Sequence, residues 1–202
     1  VYIPYFPTSA FSKTNEITIV GCGSSYFAGL IAKYWIEDIA NIRVNIEIAS
    51  EFRYSNVKLP KNGIALFISQ SGETADTLEA LKYARSQRQF IVTLTNVPDS
   101  SMERLADFSI RTLAGQEVGV ASTKTFSTQL ATLACVAVAC AKIKNSASNL
   151  TNLVNAIKSI PLNVEKALKI NYLNELAELI IKYNGAMIIG RGTSYGIAME
   201  AS

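Results

Sequence analysis

From residue 17 to residue 142 the chain alternates short β-branched apolar runs with longer stretches whose apolar residues recur every three or four positions. The short runs Ile17–Val20, Val44–Ala49, Ile64–Ser69, Phe90–Thr95 and Phe108–Leu113 predict strands. Several are nearly continuous in apolar residues, as strands covered on both faces should be. The longer stretches Ser25–Ala40, Thr74–Gln87 and Ser122–Lys142 predict helices. A shorter helix is expected from Ser100, because Ser100 and Glu103 have the spacing of a capping box. Alternation of this kind predicts βαβ units, and so an α/β fold with a five-stranded parallel sheet flanked by helices.

The flanking regions read differently. Residues 1–16, with Pro4 and Pro7 among aromatics, predict an irregular lead-in. Past the polar stretch Asn145–Asn149 two helices are expected, about Leu150–Lys169 and Leu173–Tyr183, with Pro161 kinking or dividing the first. Ala186–Ile189 reads as another strand. The next residues repeat an earlier pattern: Ile-Val-Gly-Cys-Gly-Ser-Ser-Tyr at 19–26 returns as Ile-Ile-Gly-Arg-Gly-Thr-Ser-Tyr at 188–195. Each copy follows a predicted strand and enters a predicted helix, which points to duplication. The expected organisation is a lead-in (1–16), a first domain (17–166), and a connecting helix with the start of a second, similar domain (167–202). Beginning at Val1 and ending within a helical pattern, the chain reads as a piece of a longer protein.

Composition narrows the function classes. Of 202 residues, 49% are hydrophobic and 17% charged, with net charge +3, so a packed core is expected and disorder is not. No Lys/Arg block marks a nucleic-acid footprint. An anionic ligand would therefore be held by hydroxyls and backbone dipoles. Three cysteines, Cys22, Cys135 and Cys140, cannot all pair within the chain and have no metal-ligand spacing, so no metal is expected and reduced thiols in a cytoplasmic protein are. The longest apolar stretch, Leu130 to Ala141, is shorter than the roughly 20 residues a membrane span needs, and no secretion signal opens the chain.

Three predicted strand-to-helix junctions carry candidate chemistry. In Gly21-Cys22-Gly23-Ser24-Ser25 the glycines allow close backbone approach and the helix start offers open N–H groups, although a tight turn needs no more than this. Tyr26 stands where a dinucleotide fingerprint requires Gly, which argues against a nucleotide-binding oxidoreductase. Ser69-Gln70-Ser71-Gly72-Glu73-Thr74 holds three hydroxyls and a glycine, more than one helix cap uses, and suits a phosphate cradle without Lys or Arg. Glu73 and Asp76 favour the helix start and would repel phosphate, so they are assigned to structure. Val118 to Lys124 could complete the site with Ser122, Thr123 and Lys124; equally, Ser122 could be a cap and Lys124 a solvated charge. Three such loops in one parallel sheet favour a shared site, since ligands bind outside the carboxyl ends of its strands. Cys22 is read as a pocket wall, because the chain has no His to activate it.

Together these segments resemble the sugar isomerase (SIS) family. The residues carrying the resemblance are Gly-Cys-Gly-Ser-Ser-Tyr at 21–26, Ala-Lys-Tyr-Trp at 32–35, Ile-Ala-Ser-Glu-Phe-Arg-Tyr at 48–54, Ile-Ser-Gln-Ser-Gly-Glu-Thr-Ala-Asp-Thr at 68–77, Thr-Asn-Val-Pro at 95–98 and Gly-Val-Ala-Ser-Thr-Lys at 119–124. The 48–54 and 119–124 stretches are similar to the isomerase domains of glutamine–fructose-6-phosphate aminotransferases in particular. The resemblance implies a three-layer, flavodoxin-like domain and no cofactor. It implies membership of an enzyme that makes glucosamine 6-phosphate from fructose 6-phosphate and glutamine, a homodimer whose chain also carries an amidotransferase domain and a second SIS domain.

By the same resemblance Ser69, Gln70, Ser71 and Thr74 contact phosphate and sugar. Cys22, Gly23, Ser24 and Ser25 form the opposite wall, and Val120, Ala121 and Ser122 contact the sugar. Position 24 is often Thr in the family, and Ser24 keeps the hydroxyl. The family's proton-moving Glu, ring-opening His and Schiff-base Lys match no residue of this chain, so the expectation is binding of fructose 6-phosphate or glucosamine 6-phosphate without turnover, and no catalytic residue. A non-catalytic SIS sensor is the alternative; it shares the 69–74 cradle but is not expected to carry the 48–54 stretch.

Overall fold

The computed structural model describes residues 5–55, 57–118 and 123–202. Five strands, β1 (Glu16–Gly21), β2 (Arg43–Ile48), β3 (Ile64–Ile68), β4 (Phe90–Thr95) and β5 (Phe108–Arg111), form one sheet in the order β2-β1-β3-β4-β5. Every pairing is parallel, with Ile19 opposite both Ile46 and Leu66, and Leu66 opposite Val92. The helices α1 (Thr8–Lys13), α2 (Ser24–Ala40), α3 (Ala49–Phe52), α4 (Ala75–Ser86), α5 (Ser101–Leu105) and α6 (Thr123–Lys144) cover it, followed by α7 (Leu150–Leu168), α8 (Leu173–Ile180) and α9 (Thr193–Glu200).

The period of two along each strand divides the core into two layers. Ile17, Ile19, Ile64, Leu66, Ile68, Val92, Leu94 and Ile110 are buried in one cluster with residues of α1, α2 and α6. Val20, Ala65, Phe67 and Ile91 point the other way and are buried with Ala49, Phe52, Ala80, Leu81, Ala84 and Met102 from α3, α4 and α5. Helices on both faces of a parallel sheet make the expected three layers. α2 lies close to the sheet because Ala28, Gly29 and Ala32 are small; a Cβ on Gly29 would stand 3.0 Å from Ile19 Cγ2. The helix ends at Asn41, whose φ of 52° is left-handed.

At 22 residues α6 is long and apolar enough to cross a membrane by length and composition. Packing uses part of that apolarity, since Leu133, Val136, Ala137, Cys140 and Ala141 are buried in the first layer, where α2 and α6 meet.

Four local expectations are corrected. The lead-in holds α1, a helix too short for its period to show in sequence; Pro7 precedes it, and Phe11 is buried with Phe6 4.7 Å away ring to ring. β2 stops at Ile48 and Ala49 opens α3, while β5 stops at Arg111, with Leu113 exposed at φ 56°. Of the two outcomes expected at Pro161, a kink or a break, the break does not occur, and α7 runs unbroken from Leu150 to Leu168. The proline ring holds a helical φ, so the helix continues with one backbone hydrogen bond fewer. Ala186–Ile189 forms no strand, because no strand among the described residues lies beside it to complete a ladder.

Candidate functional site

Right-handed crossovers fix where this sheet opens. From β1 the chain passes through α2 on one face to β2 at the sheet's edge; from β3 it passes through α4 on the other face to β4. The connections therefore part at the C-terminal ends of β1 and β3, the switch point where a crevice forms. A cavity of about 300 Å³ lies there, with Cys22, Gly23, Ser24 and Ser25 on one side and Ser69, Gln70, Ser71 and Thr74 on the other. Thr77, Thr125 and Gln129 also line it.

The first wall is a turn that two glycines permit. A Cβ on Gly21 would lie 3.1 Å from backbone atoms of Ser25 and Tyr26, and Gly23 has φ 52° and ψ −132°, a conformation other residues rarely adopt. The turn closes with Ser25 N–H donating to the Cys22 carbonyl at 3.2 Å. Ser25 is buried and its Oγ accepts from Gln129 Nε2 at 3.0 Å. Ser24 Oγ donates to Glu200 Oε1 at 2.7 Å, joining the first loop to α9.

In the second wall the hydroxyls do not serve as helix caps. Thr74 is the N-cap residue of α4 yet makes no side-chain cap bond; its Oγ1 lies 2.9 Å from Ser69 Oγ. Ser69 Oγ accepts from the Gly72 N–H at 3.1 Å, and Ser71 Oγ accepts from the Glu73 N–H at 3.1 Å. The loop thus fastens itself. Among the described residues the first helical N–H answered is that of Leu78, which donates to the Thr74 carbonyl, so the α4 start keeps open N–H groups and the positive end of its dipole beside the cleft.

Gly72 is required by space as well as by its φ of 66°: a Cβ there would fall 2.2 Å from Ser100 Oγ and 2.5 Å from Ser100 Cβ. Ser100 caps α5, accepting from the Glu103 N–H at 3.4 Å, the cap expected from the sequence. Glu73 Oε1 accepts from the Ser101 N–H at 2.7 Å, and this bond holds its carboxyl below the usual carboxylate range. Its charge is thereby committed to α5, in line with the structural role assigned to it. Lys124 donates to the Gln116 carbonyl and does not line the cavity.

All eight site residues expected from the first two loops line one cavity. Val120, Ala121 and Ser122 lie outside the described residues. Thr77, Thr125 and Gln129 were missed. A polar residue inside an apolar helix was the available signal for Gln129, but it becomes specific only once α6 packs beside the β1 loop. Among the described residues no three of His, Cys, Asp and Glu come together as metal ligands.

The two similar sequence segments also match in conformation. Gly192 has φ 58° and ψ −134°, within a few degrees of Gly23, and α9 begins at the next residue as α2 does.

The SIS domain pattern matches residues 10–139. The glutamine–fructose-6-phosphate aminotransferases [isomerizing] of Zymomonas mobilis and Haemophilus influenzae are each 44% identical to this chain, over 97% and 94% of it. The chain spans only 33% and 32% of their length, about a third of these curated relatives. Among solved structures, the C-terminal domain of glucosamine-fructose-6-phosphate aminotransferase from Francisella tularensis gives a TM-score of 0.89 at 41% identity, covering 96% of this chain and 56% of that one. A glucosamine-6-phosphate deaminase from Thermotoga maritima, 20% identical with a TM-score of 0.70, shares the fold. With the parallel sheet, its switch-point cleft and a family match over most of its length, this chain belongs to the SIS domain family.

Proposed function

We propose that the cleft binds a sugar phosphate and that the chain serves a glutamine–fructose-6-phosphate aminotransferase, which makes glucosamine 6-phosphate from fructose 6-phosphate and glutamine. The observation that carries this reading is the Ser69–Thr74 loop. Its hydroxyls are held at the mouth of α4 without being used as caps, and the helix start adds open N–H groups. Among the described residues no lysine or arginine lines the cavity, so hydrogen bonds and dipole would hold the phosphate. Val120, Ala121 and Ser122 are included on the sugar side, as the family resemblance implies. On this reading residues 17–166 are a first SIS domain and 167–202 lead into a second, with an amidotransferase domain supplying ammonia. The working protein is then a cytoplasmic homodimer, and the three free thiols suit that compartment.

Binding without turnover is proposed for the 202-residue chain itself. The C1–C2 proton shift needs a side chain placed to take and return a proton. Glu73 is tied to Ser101, Glu200 to Ser24 and Lys124 to Gln116, and the chain has no His. Calorimetry decides the binding claim: fructose 6-phosphate should bind and fructose should not, and equal heats would refute it. Removing both hydroxyls with Ser69→Ala and Thr74→Ala should weaken binding by about 0.5–1.5 kcal/mol for each hydrogen bond lost. Product formed from fructose 6-phosphate and ammonium by the chain alone would refute the second claim.

A further inference from the structure

Gln129 stands apart from the cleft's other groups. It sits on α6, 1% exposed, and lines the cavity from the side of the first loop. Its Nε2 donates to Ser25 Oγ at 3.0 Å, while its Oε1 is buried without a hydrogen-bond partner among the described residues. An acceptor left this way in a protein interior is costly unless something donates to it. The bond to Ser25 has a second effect. A serine oxygen that accepts from an amide keeps its own proton to give, so Gln129 sets Ser25 as a donor. Thr77 Oγ1, fully buried on α4, is likewise unpartnered and lines the same cavity.

The two ends of the cleft therefore ask for different ligand chemistry. The Ser69–Thr74 end offers open N–H groups and hydroxyls and suits a group that only accepts, such as the dianion of a phosphate ester. A phosphate-ester dianion carries no proton and cannot donate to Gln129 Oε1, whereas an alcohol can donate to it and accept from Ser25 at once. We infer that Gln129 is a specificity-determining residue of the cleft: it takes a hydroxyl of the ligand's carbon chain on Oε1 and orients Ser25 to donate to the same part of the ligand. The cleft then selects polyhydroxylated phosphate esters, lying with the phosphate at α4 and the hydroxylated chain toward α6. This inference rests on the sugar-phosphate reading and adds to it the group that recognises the sugar.

The test titrates the 202-residue chain by NMR at pH 8 with fructose 6-phosphate and with methyl phosphate, whose dianion has no proton to give, unaltered and as Gln129→Met, which keeps the side-chain length and removes the amide. The variant should bind fructose 6-phosphate about tenfold more weakly and methyl phosphate within twofold of the unaltered chain. Equal weakening toward both ligands, or toward neither, overturns the role of Gln129 and leaves the sugar-phosphate reading standing. An unaltered chain that binds neither ligand overturns both. Should circular dichroism show Gln129→Met unfolded, the unaltered chain decides alone. Its Gln129 side-chain amide resonance should shift with fructose 6-phosphate, and with one monodeoxy fructose 6-phosphate of the series it should not, that analogue also binding about tenfold more weakly. A resonance indifferent to fructose 6-phosphate, or a series of equal affinity, overturns the inference.

Discussion

Replacing Gly72 by alanine should damage this protein far more than the same change at Gly115, although the two backbones are nearly alike. Gly72 has φ 66° and Gly115 has φ 70°, so both substitutions place a Cβ in the left-handed region. That costs roughly 1–2 kcal/mol, partly offset because alanine also restricts the unfolded chain. They differ in what the new carbon meets. At Gly115 no atom of the described residues lies within 4 Å; at Gly72 it would fall 2.2 Å from Ser100 Oγ and 3.2 Å from Thr95 Cγ2. Ser100 is 2% exposed and caps α5, so it cannot yield without opening that helix start, and overpacking of this kind adds about 1–3 kcal/mol. The expected totals are about 1 kcal/mol at Gly115 and roughly 2–4 kcal/mol at Gly72, the latter a large share of an ordinary domain's stability. Urea unfolding of both variants, followed by circular dichroism, reads the difference. Equal destabilisation, or a Gly72→Ala variant within about 0.5 kcal/mol of the parent, would refute the steric argument.

Alkylation should follow burial. Cys22, at the cleft, should react first and be protected by fructose 6-phosphate, Cys135 more slowly, and Cys140 not at all in the folded chain, its thiol being pushed up to about 12 by burial. Mass spectrometry after brief iodoacetamide treatment at pH 8 tests the order, and labelled Cys140 would contradict it. Strong acid should weaken the α5 region. The Glu103 carboxyl is held below its ordinary value of 4.5, chiefly by its hydrogen bond from Arg111. Its stabilising contribution is complete above that value and disappears as pH falls through the lowered one. A Glu103→Gln variant should therefore start less stable at neutral pH and lose less between pH 5 and 3 in urea titrations, and parallel losses would count against the pairing.

How much of this was legible in sequence depended on the distance over which each signal acts. Ile64–Ile68 and Phe90–Thr95 could be read as strands because both faces are buried, and a continuous apolar run says so locally. The hydroxyls of Ser69, Ser71 and Thr74 were legible by excess, being more than a helix start consumes. Gln129 and Thr77 were not, because each lies on a helix whose cleft-facing side is set only when that helix packs on the sheet. The bond from Ser24 to Glu200 joins residues 176 positions apart, and no local pattern encodes it. At Ala186–Ile189 the local signal was β-like, but a strand exists only beside another.

The likeness between the two glycine segments stops where they touch. Six residues after the first glycine, one carries Phe27 and the other Gly196. α9 lies against α2 at that place, with Gly196 facing the Phe27 carbonyl and the Ile31 side chain, and a Cβ on Gly196 would fall 2.6 Å from Ile31 Cγ1. The bare backbone is what allows the helices to meet, so the segments are not interchangeable. A chimera carrying residues 21–31 in both places would keep each turn and drive a phenylalanine ring into the seam, parting α2 from α9 and drawing Glu200 away from Ser24.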